Sequence, residues 1–176
     1  MTDSPPAHPL DPFDPRAILA SEGLEPVAPA FTHVLRITAL FNMVPLAIAL
    51  SVADYFLIRH LGGPYGLLSA LAWIAALAVI TLFPARRAQR WGFHMGEGQL
   101  RVARGWLFRT DTIVPFVRVQ HIDIGQGPVE RWFGLSHLIV HTSGTHNSTV
   151  TLPGLHAELA AAMRETIRRH IQTDFA

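Results

Sequence analysis

Ten histidines are the first residues in this chain that could carry chemistry. With the two-residue period of a strand, His137 and His141 would share one face, with His121 on another strand and His146 in a loop. A zinc site needs three or four convergent ligands and further groups that orient them. No tight ligand motif such as H-E-x-x-H occurs, so the histidines read as separate surface or half-buried residues and no metal is assigned. Ser136, Ser143 and Ser148 fall in a strand-turn region without a G-x-S-x-G elbow to expose and activate a nucleophile. The carboxylates of the same region, Glu97, Asp111, Asp123 and Glu130, form no recognisable acid-base pair. Cysteine is absent, which excludes thiolate metal sites, disulfides and thiol nucleophiles. These residues point to a non-enzyme with no catalytic residue and no cofactor.

The cations say more. All 14 basic residues are arginine. Arg101, Arg104, Arg109 and Arg118 fall on the first strands of the C-terminal half and would form a lipid- or phosphate-binding patch if they converged, because a guanidinium makes fork-like bonds to phosphate. The plainer reading is a solvated strand face partly paired with Asp111 and Glu97. Arg86, Arg87, Arg90 and Trp91 follow an apolar segment directly and would sit at headgroup depth. Trp132 and Phe133, in a turn bounded by Gly127 and Gly134, are candidate anchors for a protein partner. A net charge of +1 lacks the basic excess of a nucleic-acid binder.

Something must position these residues, and the apolar content indicates what. Mean hydropathy is +0.27 with 15% charged residues, and the excess is concentrated in two stretches, about 34–58 and 65–83. Each is close to the ~20 residues that cross about 30 Å of hydrocarbon. Arg36 and Asp54 lie near the ends of the first, with Asn42 and Pro45 inside it. The short linker from Arg59 to Pro64 makes the spans antiparallel neighbours, a transmembrane hairpin over 34–83. Gly66, Ala70, Ala72 and Ala76 would let the helices approach closely. Arginine flanks the outer ends of the hairpin more heavily than its turn, so the positive-inside rule places both termini in the cytoplasm of a multi-pass inner-membrane protein. Residues 1–30 hold seven of the 13 prolines and read as a flexible tail, with a helical turn or two around Arg16 to Glu22. They lack the basic start and apolar run of a signal peptide.

After Trp91 the texture changes to short strands over 88–172. Leu100 and Val102 share one parity, with Gln99, Arg101 and Ala103 on the other. A second strand stops at Pro115. In the third the apolar parity switches at Gln120-His121, which predicts a bulge. A helical turn over Val129 to Phe133 precedes two strands joined by a hairpin around 143–147, and Pro153-Gly154 is expected to break the pattern. Leu155, Leu159, Met163, Ile167 and Ile171 mark one amphipathic C-terminal helix. The fold class is therefore an α+β membrane protein, with a small open barrel or sandwich capped by a helix.

Gly105, Ile113-Val114-Pro115, Val119-Gln120-His121 and the run from Gln126-Gly127-Pro128 through Arg131 to Gly134-Leu135 carry a specific resemblance. Together with the preceding spans, they resemble the membrane-flanked bacterial pleckstrin-homology (PH) domain family, in its short YdbS-like form, over about 34–171. The resemblance implies two near-orthogonal antiparallel sheets capped by a C-terminal helix. Members often occur beside a larger relative with several copies of the domain, which implies self-association or assembly with such a multi-domain membrane protein. The family is named for its fold, so phosphoinositide binding does not follow. The function expected is a membrane-anchored interaction module in contact with membrane lipid, the alternative being anionic-lipid or phosphorylated-ligand binding through the strand arginines.

Overall fold

The computed structural model describes residues 15–61, 66–96, 98–105, 108–143 and 149–173. Residues 1–14, 62–65, 97, 106–107, 144–148 and 174–176 lie outside these, and with them the expectations for Glu97, His146, Ser148 and the connections at 62–64 and 144–147. The described chain opens with a short helix, α1 (Pro15–Ser21), and a two-residue strand, β1 (Glu25–Pro26). Two long helices follow, α2 (Phe31–Leu61) and α3 (Leu67–Ala88).

The long helices pack antiparallel. Asp54 accepts hydrogen bonds from the Ser69 hydroxyl at 2.7 Å and the Ser69 backbone N–H at 3.3 Å near one end of the pair. At the other end Val34 and Ala88 enter the same core. Ala47 and Ala76 lie the same number of steps along from Asp54 and Ser69, and both are buried where the helices approach closely. Ala72 is half-buried on that side of α3, whereas Gly66 and Ala70 are exposed. Outward, the pair presents large apolar side chains, with Phe41 69% and Ile74 65% exposed. A soluble protein does not leave so broad an apolar surface to water. Both helices are long and apolar enough to cross a membrane, over 30 and 22 residues.

The expected flexible tail over 1–30 is corrected from Pro15 onward. Leu19 and Leu24 are buried against Ala103, and Val27 and Phe31 join the main core. Proline does not prevent this, because β1 pairs with one strand only and Pro26 sits where a missing N–H costs little. Helix α2 accordingly starts at Phe31, ahead of the expected Val34, and α3 runs on past Phe83 to Ala88. The 31 residues of α2 measure about 46 Å at 1.5 Å per residue, longer than the hydrocarbon needs. Its first turn belongs to the C-terminal domain.

That domain contains β2 (Gly92–Gly96), β3 (Gln99–Arg104), β4 (Thr110–Pro115), a single 3-10 turn (Phe116–Arg118), β5 (Val119–Gly125), α4 (Pro128–Trp132), β6 (Leu135–Thr142), β7 (Thr149–His156) and α5 (Ala157–Thr173). The strands form two antiparallel sheets that do not close on each other, β1-β2-β3-β4 and β5-β6-β7. Leu100, Val102 and Val114 of the first sheet and Leu138, Val140, Val150 and Leu152 of the second enclose the core, with Ala160, Met163 and Ile167 of α5 over it. Strand β2 alternates over Phe93, His94 and Met95 only, a run too short to mark a strand in the sequence, with Phe93 and Met95 facing the core and His94 exposed. The bulge expected at Gln120 is present as a register shift between Val119 and His121. Pro153-Gly154 does not end β7, which continues to His156 along the outer edge of its sheet. There Gly154 has φ +71° and lies under the Phe31 ring, where a Cβ would come within 2.7 Å of Phe31 Cγ.

Candidate interaction surfaces

The base of the domain meets the hairpin at the level of its flanking arginines. On α2 and α3, Arg36 and Arg86 lie within one residue of the same level of the antiparallel pair, and Arg86, Arg87 and Arg90 are all exposed. Trp91, expected beside them at the membrane interface, is corrected: it is 9% exposed and belongs to the core. The turn after β3 comes down beside α3, where Phe83, Arg87, Trp91, Arg104, Gly105 and Thr110 line one cavity of about 290 Å³. At the neighbouring corner α4 lies against α2, and the Phe133 ring stacks on His33 with centroids 5.9 Å apart. Phe133 is therefore half-buried packing, whereas its neighbour Trp132 is 86% exposed. The two expected anchors point to different fates.

The four strand arginines do not converge. Arg101 makes a forked pair with Asp111, its Nε donating to Oδ1 at 3.1 Å and to Oδ2 at 2.8 Å. Arg109 pairs with Glu22, which also lies 3.6 Å from Arg101. Glu22 follows α1, so this network fastens the α1 segment to the outer face of β3 and β4. The Arg101 hydrogen bond, helped by the positive charges of Arg101 and Arg109, holds the Asp111 carboxyl below its ordinary range against the opposing effect of burial. Arg104 shares the inward parity of Leu100 and Val102 but stands at the strand's end, at the cavity with Arg87. Arg118 is exposed in the 3-10 turn at the far end of β4. Glu22 lay in the presumed tail, so its part in this network was not visible from strand parity.

His137 and His141 do share the outer face of β6, but four residues of strand separate them by about 13 Å. His137 Nδ1 lies 2.9 Å from a Glu130 carboxylate oxygen that also accepts the Gly127 N–H at 2.7 Å. His141 and His121 instead flank Asp123, with His121 Nε2 at 2.8 Å and His141 Nε2 at 3.5 Å. Among the described residues no group of three or more His, Asp or Glu is arranged to hold a metal ion. Ser136 is 1% exposed inside the core, out of reach of a substrate. The motif from Gln126 to Leu135 has a local structural role: Gln126 Nε2 donates to the Leu135 carbonyl at 2.8 Å, and Glu130 caps α4. Gly134 needs its positive φ of 65°, whereas Gly127, at φ −74°, is ordinary extended backbone.

A groove lies between β5 and α5. Val119, Ile122 and Ile171 give it apolar surface, Gln120 and His121 the bulged backbone, and Arg164 and Arg168 a cationic wall, around about 520 Å³. Strand β5 is the outer member of its sheet, with only β6 beside it among the described strands. Arg164 and Arg168 are exposed and form no ion pair among the described residues, unlike Arg169, which binds Glu165 at 3.1 Å. Phe116 packs edge-on against His170 beside this end of α5. The groove thus sits at the Pro115 end of β4, while the Thr110 end meets the hairpin, some 17 Å away along the strand. The apolar stripe of α5 is legible in its sequence, whereas the place of Arg164 and Arg168 on one shoulder of it, beside a strand edge unpaired among the described residues, depends on the tertiary fold.

A membrane-spanning pair of helices joined to two open antiparallel sheets and a capping C-terminal helix defines a membrane-associated PH-like protein. The family model described as the bacterial PH domain matches residues 31–171, and the chain belongs to that family. It is 31% identical over 127 residues to the UPF0699 transmembrane protein YdbS of Bacillus subtilis (strain 168), covering 70% of this chain and 76% of that protein. No solved structure matches the chain.

Proposed function

We propose that the chain is a non-enzymatic interaction module, anchored on the cytoplasmic face of the inner membrane by two spanning helices with both termini in the cytoplasm. In this reading it assembles with another membrane protein, either a second copy or a multi-domain relative, by accepting an extended acidic segment along β5. The observation that carries the reading is the groove between β5 and α5, where a free strand edge lies beside Arg164 and Arg168. Strand addition to such an edge supplies backbone hydrogen bonds, and the arginines favour an acidic sequence over a neutral one. Confinement to one membrane raises the effective concentration of the two partners. The arginine excess beside α2 and α3 supports the orientation. The match to the bacterial PH-domain family supports a non-catalytic role.

The alternative, headgroup recognition by the strand arginines, is less well supported, since Arg101 and Arg109 are engaged with Asp111 and Glu22. The test uses the full chain carrying Arg164→Glu and Arg168→Glu, purified from native membranes in mild detergent with partners read by mass spectrometry. Partners held by the wild type should be missing from the variant. Retention of the same partners by a folded variant would refute the groove as the contact.

A further inference from the structure

Apart from the long helices, the two most exposed aromatic residues described are Trp132, at 86%, and Phe108, at 81%. Neither packs into the domain, and an aromatic ring left in water forgoes most of the apolar burial that such residues ordinarily gain. Their positions are not scattered. Trp132 ends α4, which rests on the first turns of α2, and its neighbour Phe133 stacks on His33, about 4.5 Å along the helix from Arg36. Phe108 belongs to the β3–β4 turn, whose Gly105 and Thr110 share a cavity with Phe83 and Arg87 of α3. Arg36 and Arg86 mark the level at which the hairpin leaves the hydrocarbon, and the headgroup layer beyond it is about 5–7 Å deep. Trp132 and Phe108 thus each adjoin the stretch of α2 or α3 that passes through that layer.

The charge around them has the matching sign. Arg131 precedes Trp132 and is exposed, while Arg87 and Arg104 stand beside the turn that carries Phe108. Exposed aromatics set among arginines, continuous with a membrane-spanning surface, fit an anionic bilayer interface better than a protein surface. We infer that the PH-like domain lies directly on the bilayer, with Phe108 and Trp132 inserted at the headgroup–acyl boundary on either side of the hairpin. This contact uses apolar insertion, not a phosphate pocket, and leaves the groove along β5 facing away from the membrane. The domain is then held at three points and cannot swing freely about the ends of α2 and α3.

The chain has no cysteine, so single spin labels can be placed without removing any residue. Phe108→Cys and Trp132→Cys are made in the full chain, with Phe41→Cys as a lipid-facing reference and Val117→Cys, 69% exposed in the 3-10 turn, as an aqueous one. The labelled proteins are reconstituted in phosphatidylglycerol–phosphatidylcholine vesicles and titrated with oxygen and with a water-soluble nickel chelate. Labels at 108 and 132 should collide with the chelate several-fold less than the label at 117 and show an oxygen-to-chelate ratio between those at 41 and 117. A label at either position as open to the chelate as the one at 117 overturns the inference. So does protection from both probes that disappears on diluting the protein in lipid, which would mean a protein contact.

Discussion

Replacing Phe31 by Ala tests whether the first turn of α2 is part of the PH-like core. Phe31 is 5% exposed, packs in one cluster with Leu155 and Val34, and lies against Gly154, which has no side chain to fill the space. Truncating a buried phenylalanine costs about 3–5 kcal/mol through lost burial and the cavity left behind. Against a typical domain stability of about 5–15 kcal/mol this is a large fraction. It corresponds to an opening constant raised on the order of 10²–10³-fold. Amide hydrogen exchange on the full chain in detergent micelles reads this directly, and β6, β7 and α5 should lose protection by that factor. Phe41→Ala, ten residues along the same helix and 69% exposed, is the control and should leave the domain's exchange unchanged. If Phe31→Ala leaves protection in β6 and β7 intact, the hairpin and the domain do not share a core and the packing argument fails.

Asp54→Ala removes the acceptor that Ser69 uses through both its hydroxyl and its N–H, and should loosen the Asp54 end of the helix pair by about 1–3 kcal/mol; disulfide formation between Ala47→Cys and Ala76→Cys should then become slower, and an unchanged rate would count against the clamp. Gly105→Ala should disrupt the β3–β4 turn, because φ is +129° and a Cβ would lie 1.8 Å from the Phe108 carbonyl oxygen; native circular dichroism and melting would contradict the turn geometry. The Arg101–Asp111 pair sets a pH dependence: the depressed Asp111 pKa gives a contribution present above its ordinary value near 3.8 and lost as pH falls through the lower folded value. Asp111→Asn should therefore flatten the acid limb of a stability–pH curve, and an acid limb identical to wild type would exclude Asp111 from it. A reporter active only in the cytoplasm should work when fused after Ala176, and one active only in the periplasm should not; the reverse pattern would overturn the topology.

The parts of the fold legible in the sequence were those governed by local period or by length. Two apolar runs near twenty residues can satisfy their own backbone and little else, so helices α2 and α3 followed from composition. Met163, Ile167 and Ile171 of the expected stripe announced α5, although its first two members are corrected, Leu155 lying in β7 and Leu159 being 40% exposed with Ala160 buried instead. The parity switch at Gln120-His121 announced the bulge, because each pattern reflects which face meets the core. The family motif was readable for the same reason. Gln126, Glu130 and Gly134 satisfy hydrogen bonds and backbone geometry within ten residues of chain.

What escaped depends on residues far apart in the chain. Glu22 meets Arg109 across a separation of 87 residues, and no pattern around either one records the other. The same holds for Leu19 and Leu24 over Ala103, which turned a presumed tail into an ordered edge. Trp91 reads as an interface residue beside three arginines until the domain folds down over it, whereas Trp132 is left bare next to the buried-facing Phe133. A residue's type fixes what it can bond; burial, and the partner brought to it, are decided by packing between distant segments. That is why membrane association and the PH-like class were accessible from the sequence, while the surfaces that could receive a partner or a bilayer emerged only from the tertiary structure.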